Sequence, residues 1–233
     1  MEYIFLDTET TDATPDRGVV EVGVVITDSN FNVLREAQSL IDPQKLISPS
    51  ASGVHGLTNK DVEEAPTLDE YFSDNEECFG GPLPGPAAII GHRISFDTHT
   101  IGRFVQEGFV EVCTLRWARK LYPHADDHKL STLIFSLDLP RSAGAHRALA
   151  DVYSALYLTK HICDRTGMSL PELVEASKEP MEVLTLPFGK HKGSSFMDVP
   201  PSYLEWMLRE MKDLDGDLKY SINLALQKKK KKK

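Results

Sequence analysis

The sequence predicts an α/β chain, and three observations carry that prediction. The opening holds three apolar stretches separated by turn residues, the pattern of an antiparallel meander. Between residues 87 and 165, short apolar strands alternate with segments of helical periodicity. After Gly167 the composition changes, and a compact unit follows with a strand, a basic turn and helices of its own. With 233 residues and 41% apolar content, the chain has enough material for one packed domain and a small appendage.

Taken in order, residues 3–6 (YIFL) form an apolar strand that runs into Asp7-Thr8-Glu9-Thr10. Residues 19–27 read VVEVGVVIT, with Val20, Val22, Val24 and Ile26 on one face and Glu21 and Gly23 on the other. Asp28-Ser29-Asn30 turns the chain into a third strand over residues 31–42. Residues 48–65 carry a short helix after Gly56-Leu57, with Thr58 as its N-cap and Asp61 completing a capping box. GGPLPGP at 80–86 is a loop, and residues 87–90 are a buried strand. A helix over 96–106 places Ile101, Phe104 and Val105 on one side, and another strand follows at 110–113. Helices are expected at 115–121, 129–137 and 147–165, the last closed by Gly167. Ser169-Leu-Pro-Glu172 opens a connecting helix with a capping box, and Lys178-Glu179-Pro180 reads as a hinge. The closing unit comprises a strand at 183–186, the basic turn FGKHKG at 188–193, a helix opened by Ser202 with Glu205 as cap partner, and a last helix at 215–227.

Composition narrows the function classes. Cys78, Cys113 and Cys163 are odd in number, far apart and form no CxxC, so neither a disulfide framework nor a zinc site is expected, and a reducing, cytoplasmic compartment fits. The opening MEYIFLDTET has the wrong charge pattern for a signal peptide, and no apolar run reaches membrane-spanning length. No membrane partner is expected. The formal charge of −9 includes six lysines at 228–233, which leaves −15 on residues 1–227. Such a body repels a polyanion unless cations or local basic patches cancel its field. By composition the lysine run is expected to be disordered.

Chemistry concentrates in three places. Asp7 and Glu9 lie two apart at a strand end, so their carboxylates project to one face roughly 7 Å apart at about 3.3 Å rise per residue. Charged groups directly after YIFL would leave the core in a place costly for unpaired carboxylates, unless a metal or hydrogen bonds compensate. Asp97 falls in the first turn of a helix after Gly91-His92-Arg93-Ile94-Ser95-Phe96, where its plainer role is dipole complementation. His146 precedes a long helix and Asp151 lies within its first two turns; either alone is more often a cap or a surface group. Lys190, His191 and Lys192 cluster on a turn between Gly189 and Gly193, beside Phe188, where cations and amides can approach phosphate. The plainer reading is that Phe188, Tyr203 and Trp206 pack a small helical cap.

DTETT at 7–11, GHRISFD at 91–97 and HRALAD at 146–151 resemble the three motifs of the DEDDh family of 3′→5′ exonucleases, which includes the proofreading subunit of bacterial replicative polymerases. VVEVGVV at 19–25, VHGLT at 54–58 and CTLRWARKLYP at 113–123 occupy the matching intervals. The resemblance implies an RNase H-like fold over residues 1–166, a mixed five-stranded sheet flanked by helices. FGKHKG at 188–193 and DVPPSYLEWML at 198–208 resemble the carboxy-terminal module of exonuclease X-type enzymes, a small α+β unit over 182–227 reached through a linker at 167–181 and followed by the poly-lysine tail at 228–233.

The same resemblance implies hydrolysis of DNA with a free 3′ end, single strands favoured, to nucleoside 5′-monophosphates. Asp7 would bridge two Mg²⁺ (or Mn²⁺) ions, Glu9 and Asp151 bind one, Asp97 serves the second, and His146 is the general base. Oxygen-only ligands suit those cations, and an ordinary imidazole pKa near 6.5 suits the base. Thr8, Thr10, His55, Arg93 and Phe96 fall on the nucleic-acid side, joined by Lys190 and Lys192. Two departures stand out: Arg93 replaces the family's usual Asn, and Asp12 its usual Gly. Arg93 contacts a substrate phosphate or only solvent, and His55 has a structural role as its alternative. Cys113 and Trp117 are expected in the core; His92, His124, His128 and His161 receive no role. The rival readings are an exoribonuclease of the oligoribonuclease or RNase T type and a non-catalytic nucleic-acid-binding module.

Overall fold

A computed structural model describes residues 2–74, 88–104, 108–141, 146–212 and 214–231. Strands β1 (Tyr3–Thr10), β2 (Val19–Thr27) and β3 (Val33–Leu40) form the antiparallel meander. Strands β4 (Ala88–Gly91) and β5 (Val110–Cys113) add on the other side of β1, both parallel, giving the order β3-β2-β1-β4-β5. This is the mixed five-stranded sheet, and helices flank it: α1 (Pro49–His55), α2 (Asn59–Val62), α3 (Leu68–Asp74), α4 (Ser95–Thr100), α5 (Thr114–Leu121), α6 (Leu130–Ser136), α7 (Ala148–Thr166) and α8 (Leu170–Ser177). None of the described helices is long and apolar enough to cross a membrane.

The strand period of two decides what each face meets. Tyr3 and Phe5 join Val25, Ile90 and Val112 against Trp117, Leu133, Val152 and Leu156 of α5, α6 and α7. Ile4 and Leu6 join Val22, Val24 and Ile26 against Ile41, Ile94 and Ile101 on the opposite side. Burying each of these side chains contributes about 1.5–3 kcal/mol relative to exposure. Continuing the odd-numbered face outward from Phe5 brings Asp7 and then Glu9, so both carboxylates emerge under α7. Their registered partners on β2 are Gly23 and Glu21. At Gly23 the helix crosses so closely that a Cβ would lie 2.6 Å from the carbonyl carbon of Ala148 and from the amide nitrogen of Leu149.

Beyond residue 180 the chain buries a cluster of its own, built from Val183, Leu186, Phe196, Leu204, Met207, Leu218 and Ile222. Helices α9 (Pro201–Glu210) and α10 (Gly216–Lys230) supply most of it. The unit is clasped to α5 by Arg116, whose Nε and Nη2 donate to Asp217 Oδ2 and Oδ1 at 2.6 and 2.8 Å. The same guanidinium reaches the carbonyls of Ser177 (2.9 Å) and Glu179 (3.0 Å), and Asp217 also accepts the Met181 amide at 2.8 Å. The Lys178-Glu179-Pro180 segment, expected as a hinge, is thus gripped on both sides.

Several expectations need correction. The third strand is shorter than 31–42, because Asp42 pairs separately with Thr67. The helix expected over 96–106 stops at Thr100 and gives way to a 3₁₀ turn at Gly102–Phe104; Val105 and Gln106 lie outside the described residues, as do Cys78, the 80–86 loop and Ala87. The helix expected after Gly56-Leu57 is α2, and a further helix that was not expected, α1, precedes Gly56, capped by Ser48 with proline at its start. Residues 183–186 form no strand: Val183 N donates to the Ser221 hydroxyl, and Thr185 makes only an isolated antiparallel bridge to Ser195. Helix α9 starts at Pro201 without a side-chain cap, since the fixed φ of Pro200-Pro201 sets its first turn and Ser202 lies inside it. Lys228, Lys229 and Lys230 are helical rather than disordered, with Lys228 reaching Glu182 and Lys229 reaching the Val199 carbonyl at 2.9 Å. The capping boxes at Thr58/Asp61 and Ser169/Glu172, and the left-handed Gly167 that closes α7, are as expected.

Candidate active site

Asp7 and Glu9 leave the end of β1 half-buried, and Asp151 in the first turn of α7 comes down onto them. One ligand atom from each of the three lies within 4.8 Å of the others. Asp97, near the start of α4, is buried and stands outside that triad; its Oδ1 accepts the Thr8 amide at 2.9 Å and the Thr8 hydroxyl at 2.7 Å, which leaves Oδ2 out of both bonds. The Thr8 hydroxyl therefore points at a carboxylate, while the Thr10 hydroxyl donates to the Asp12 carbonyl at 2.8 Å.

Crowding of like charge in a poorly solvated place has the expected electrostatic result. Burial, and then the neighbouring Asp97, Asp151, Glu9 and Glu21, push Asp7 well above the ordinary carboxylate range. Burial followed by Asp151, Glu21 and Asp97 pushes Glu9 up to about 8. Asp97 rises to about 7 through burial, against the pull of the Thr8 hydrogen bonds. Asp151 is raised by burial, with His146 pulling the other way. An all-oxygen set whose members repel one another fits hard divalent cations, which would replace the missing positive charge.

His146 is exposed, precedes α7, and borders the same cavity as Asp7 and Asp151. Its φ of 63° is left-handed, a conformation uncommon for a residue with a side chain and one that costs about 1–3 kcal/mol unless the surroundings impose it. Glu21 anchors the segment that follows. It accepts Arg147 Nη2 at 2.6 Å, Arg147 Nε at 3.0 Å and the Ala148 amide at 2.9 Å, so it satisfies the opening of α7. Burial would raise the Glu21 carboxyl, but these donors and Gln38 hold it below its usual range. Sequence reasoning quoted Glu21 without assigning it this role.

Of the expected nucleic-acid contacts, Arg93 and Lys192 border the main cavity, of about 500 Å³, and Lys190 does not. Phe96 and His55 border a smaller one with Glu9 and Thr10. Arg93 is exposed at a left-handed φ of 68° and lies 5.9 Å from the Phe96 ring centroid. The more intimate partner of Phe96 is Arg17, whose guanidinium sits 3.6 Å above the ring and donates to Thr100 and to the Phe96 carbonyl. No motif had drawn attention to Arg17. His55 is buried, and its Nδ1 accepts the Leu57 amide at 3.1 Å. His92, given no role from the sequence, is held neutral with a pKa near about 4 by burial, and its ring nitrogens meet Thr114 and the His128 carbonyl at the cavity wall. Trp117 is buried in the core, its indole donating to Ser177, and Cys113 is buried as expected.

Comparison with known proteins bears on the family and the fold. Residues 4–159 match a family model described as Exonuclease, and residues 178–215 match a second model named for a quorum-sensing-regulated virulence factor. Exodeoxyribonuclease 10 of Escherichia coli strain K12 is 24% identical over 229 residues, covering 95% of this chain and 97% of that protein. Among solved structures, exonuclease X in complex with 5′ overhanging duplex DNA superposes with a TM-score of 0.59 at 24% identity, over 75% of this chain and 99% of that one. Exonuclease I of E. coli bound to a dT13 oligonucleotide superposes with a TM-score of 0.60 at 21% identity, over 71% of this chain and 42% of its own.

Proposed function

Because the chain belongs to the exonuclease family, we propose that it removes nucleotides one at a time from the 3′ end of DNA, single strands favoured, and releases nucleoside 5′-monophosphates. The observation that carries this reading is the convergence of Asp7, Glu9 and Asp151 within 4.8 Å, with Asp7 and Asp151 sharing a cavity with His146. DNA is favoured over RNA because a relative that aligns along almost its whole length is an exodeoxyribonuclease, and the superposed structures hold DNA. Residues 1–166 are the exonuclease part and 182–227 the appended module, joined by 167–181, a linker that packs on the exonuclease core through Leu170, Leu173, Val174 and Met181.

In this reading Asp7, Glu9 and Asp151 would hold one Mg²⁺ or Mn²⁺, and Asp7 with Asp97 would hold a second. Bound there, the two cations supply the positive charge that lets a polyanion enter an acidic cleft and offsets the charge that builds up during phosphoryl transfer. Thr8, next to Asp7 in the chain, holds Asp97 in place through the two bonds to Oδ1. Glu21 and Arg147 fix the start of α7, and with it the placement of both His146 and Asp151. His146 accepts a proton from the attacking water as the water oxygen adds to phosphorus. The bond from phosphorus to the 3′ oxygen then breaks, and that oxygen takes a proton from solvent, leaving a shortened strand with a new 3′ hydroxyl and a free nucleoside 5′-monophosphate. Thr10, His55, Arg93 and Phe96 border the path of the strand beside this centre.

The test compares labelled single- and double-stranded DNA and RNA with Mg²⁺ and with EDTA. Stepwise loss from the 3′ end of DNA that EDTA abolishes is expected. Preferential loss from RNA would move the enzyme to the exoribonuclease reading, and the absence of any Mg²⁺-dependent release would leave only a binding module.

A further inference from the structure

The cavity beside the carboxylates is bounded by two distant parts of the chain. Asp7, His146, Asp151 and Arg93 stand on one side, and Thr185, Leu186, Pro187, Lys192 and Gly193 stand on the other. The second side is a closed loop: Leu186 N donates to the Ser194 carbonyl at 2.9 Å and Gly193 N donates back to the Leu186 carbonyl at 2.7 Å. Gly189 and Gly193, at φ of 78° and 81°, supply the left-handed turns that let so short a loop close. The loop does not hang free. Thr185 donates to the Pro123 carbonyl at 3.2 Å, Arg119 pairs with Asp215 at 3.0 Å, and the Arg116–Asp217 clasp fixes the unit behind it.

Lys192 is the cation this loop brings to the cavity. It is exposed and forms no ion pair among the described residues, whereas Arg119, across the same cavity, is already paired. Asp127, which lines the same cavity, is held below the usual carboxylate range chiefly by the Lys129 amide and in part by Lys192. Lys192 is not locked into an ion pair there, and at a cleft that also holds clustered carboxylates it is suited to a phosphate that lies along the strand from the one being cleaved. A volume of about 500 Å³ is in the size range of sites that enclose one small ligand.

We propose that Lys192 and the 185–193 loop form a substrate-positioning wall of the cleft, in which Lys192 holds the phosphate next to the scissile one on a single-stranded 3′ end. This rests on the exonuclease reading above and gives the carboxy-terminal unit a share in the same site. A second anchoring point aligns the strand so that its terminal phosphodiester, and not an internal one, lies over Asp7 and Asp151.

The decisive experiment uses the full chain and a fluorescent single-stranded oligonucleotide, with Ca²⁺ replacing Mg²⁺ so that binding is read without turnover. Lys192→Ala is expected to raise Kd about tenfold and to reduce the salt slope of binding by about one charge. Lys192→Arg retains most of the affinity. In Mg²⁺ the Lys192→Ala loss falls mainly on KM rather than kcat. Lys219→Ala, which removes the same charge from an exposed position on α10, shifts Kd by less than twofold. Binding by Lys192→Ala within twofold of wild type, an equal loss in Lys219→Ala, or no binding by the wild-type chain would each overturn the proposal. If the wild type binds but releases no nucleotide in Mg²⁺, the exonuclease reading fails by itself and the binding comparison still decides the role of Lys192.

Discussion

Two kinds of buried acid occur in this molecule, and the difference between them separates architecture from chemistry. Glu21 and Asp217 are almost fully enclosed, yet each meets an arginine and a backbone amide: Arg147 and Ala148 for one, Arg116 and Met181 for the other. Asp7, Glu9 and Asp151 are half-buried, and the groups nearest to them are mostly one another. A buried carboxylate that the protein itself satisfies ties elements together. One left to repel its neighbours stores a preference for something that arrives from outside.

The largest effect that would break this contrast belongs to the unsatisfied set. Asp7→Ala or Asp151→Ala is expected to lower turnover by at least about a thousandfold, a loss of about 4 kcal/mol in transition-state stabilisation, with circular dichroism unchanged. Near-normal release of nucleotides by either variant would remove the metal-holding role. His146→Ala should cost about a hundredfold or more while leaving the Mg²⁺ titration intact; a wild-type rate at neutral pH would make that histidine structural.

The satisfied set should respond in stability. Arg147→Ala leaves the fully buried Glu21 without its counter-ion, and a loss of about 3 kcal/mol is expected in denaturant unfolding. Its activity loss should follow from a shifted α7 and be partly recovered at lower temperature. Should Arg147→Ala unfold like wild type, Glu21 would join the unsatisfied group and the contrast would fail.

The smallest effect sharpens the comparison through pH. Unfolded, Glu9 and Asp97 release their protons near about pH 4, whereas folded they hold them up to about 8 and about 7. Across that window the folded chain binds more protons than the unfolded one, so stability in EDTA should fall as pH rises and level off above the Glu9 value. Mg²⁺ competes with those protons, so the rise in Tm that it produces should be larger at pH 8 than at pH 5. Glu9→Gln should flatten the slope in EDTA; a slope that stays the same would mean that Glu9 is not the titrating group.

The carboxylates and His146 are legible in the sequence because their three motifs resemble those of the DEDDh exonucleases, and local rules fix the direction of only some of them. The period of β1 sends Asp7 and Glu9 to one face, and the first turn of α7 sends Asp151 down onto them. What escaped depends on pairings between remote segments. Glu21 becomes an anchor only once the register of β1 with β2 and the path of α7 over both are known. Arg17 over Phe96 joins segments far apart in the chain, and the Arg116–Asp217 clasp joins residues 101 positions apart. At 183–186 the apolar pattern suggests a strand, but the only β pairing there among the described residues is an isolated bridge from Thr185 to Ser195, and the Val183 amide meets a serine hydroxyl instead. Lys190 and Lys192 are equivalent by composition; only the closure of their loop places one of them in the cleft.

Gly23 carries no chemical group, yet it governs the site as a spacer. Backbone atoms of Ala148 and Leu149 occupy the position that any larger side chain would need. Even an alanine there would lift the first turn of α7 off the sheet, drawing Asp151 away from Asp7 and Glu9 and moving His146 with it. A genetic screen for dead variants of this protein should therefore recover substitutions at residue 23 beside those at 7 and 151. A map of such variants would mark as essential a position that never touches substrate, solvent or cation.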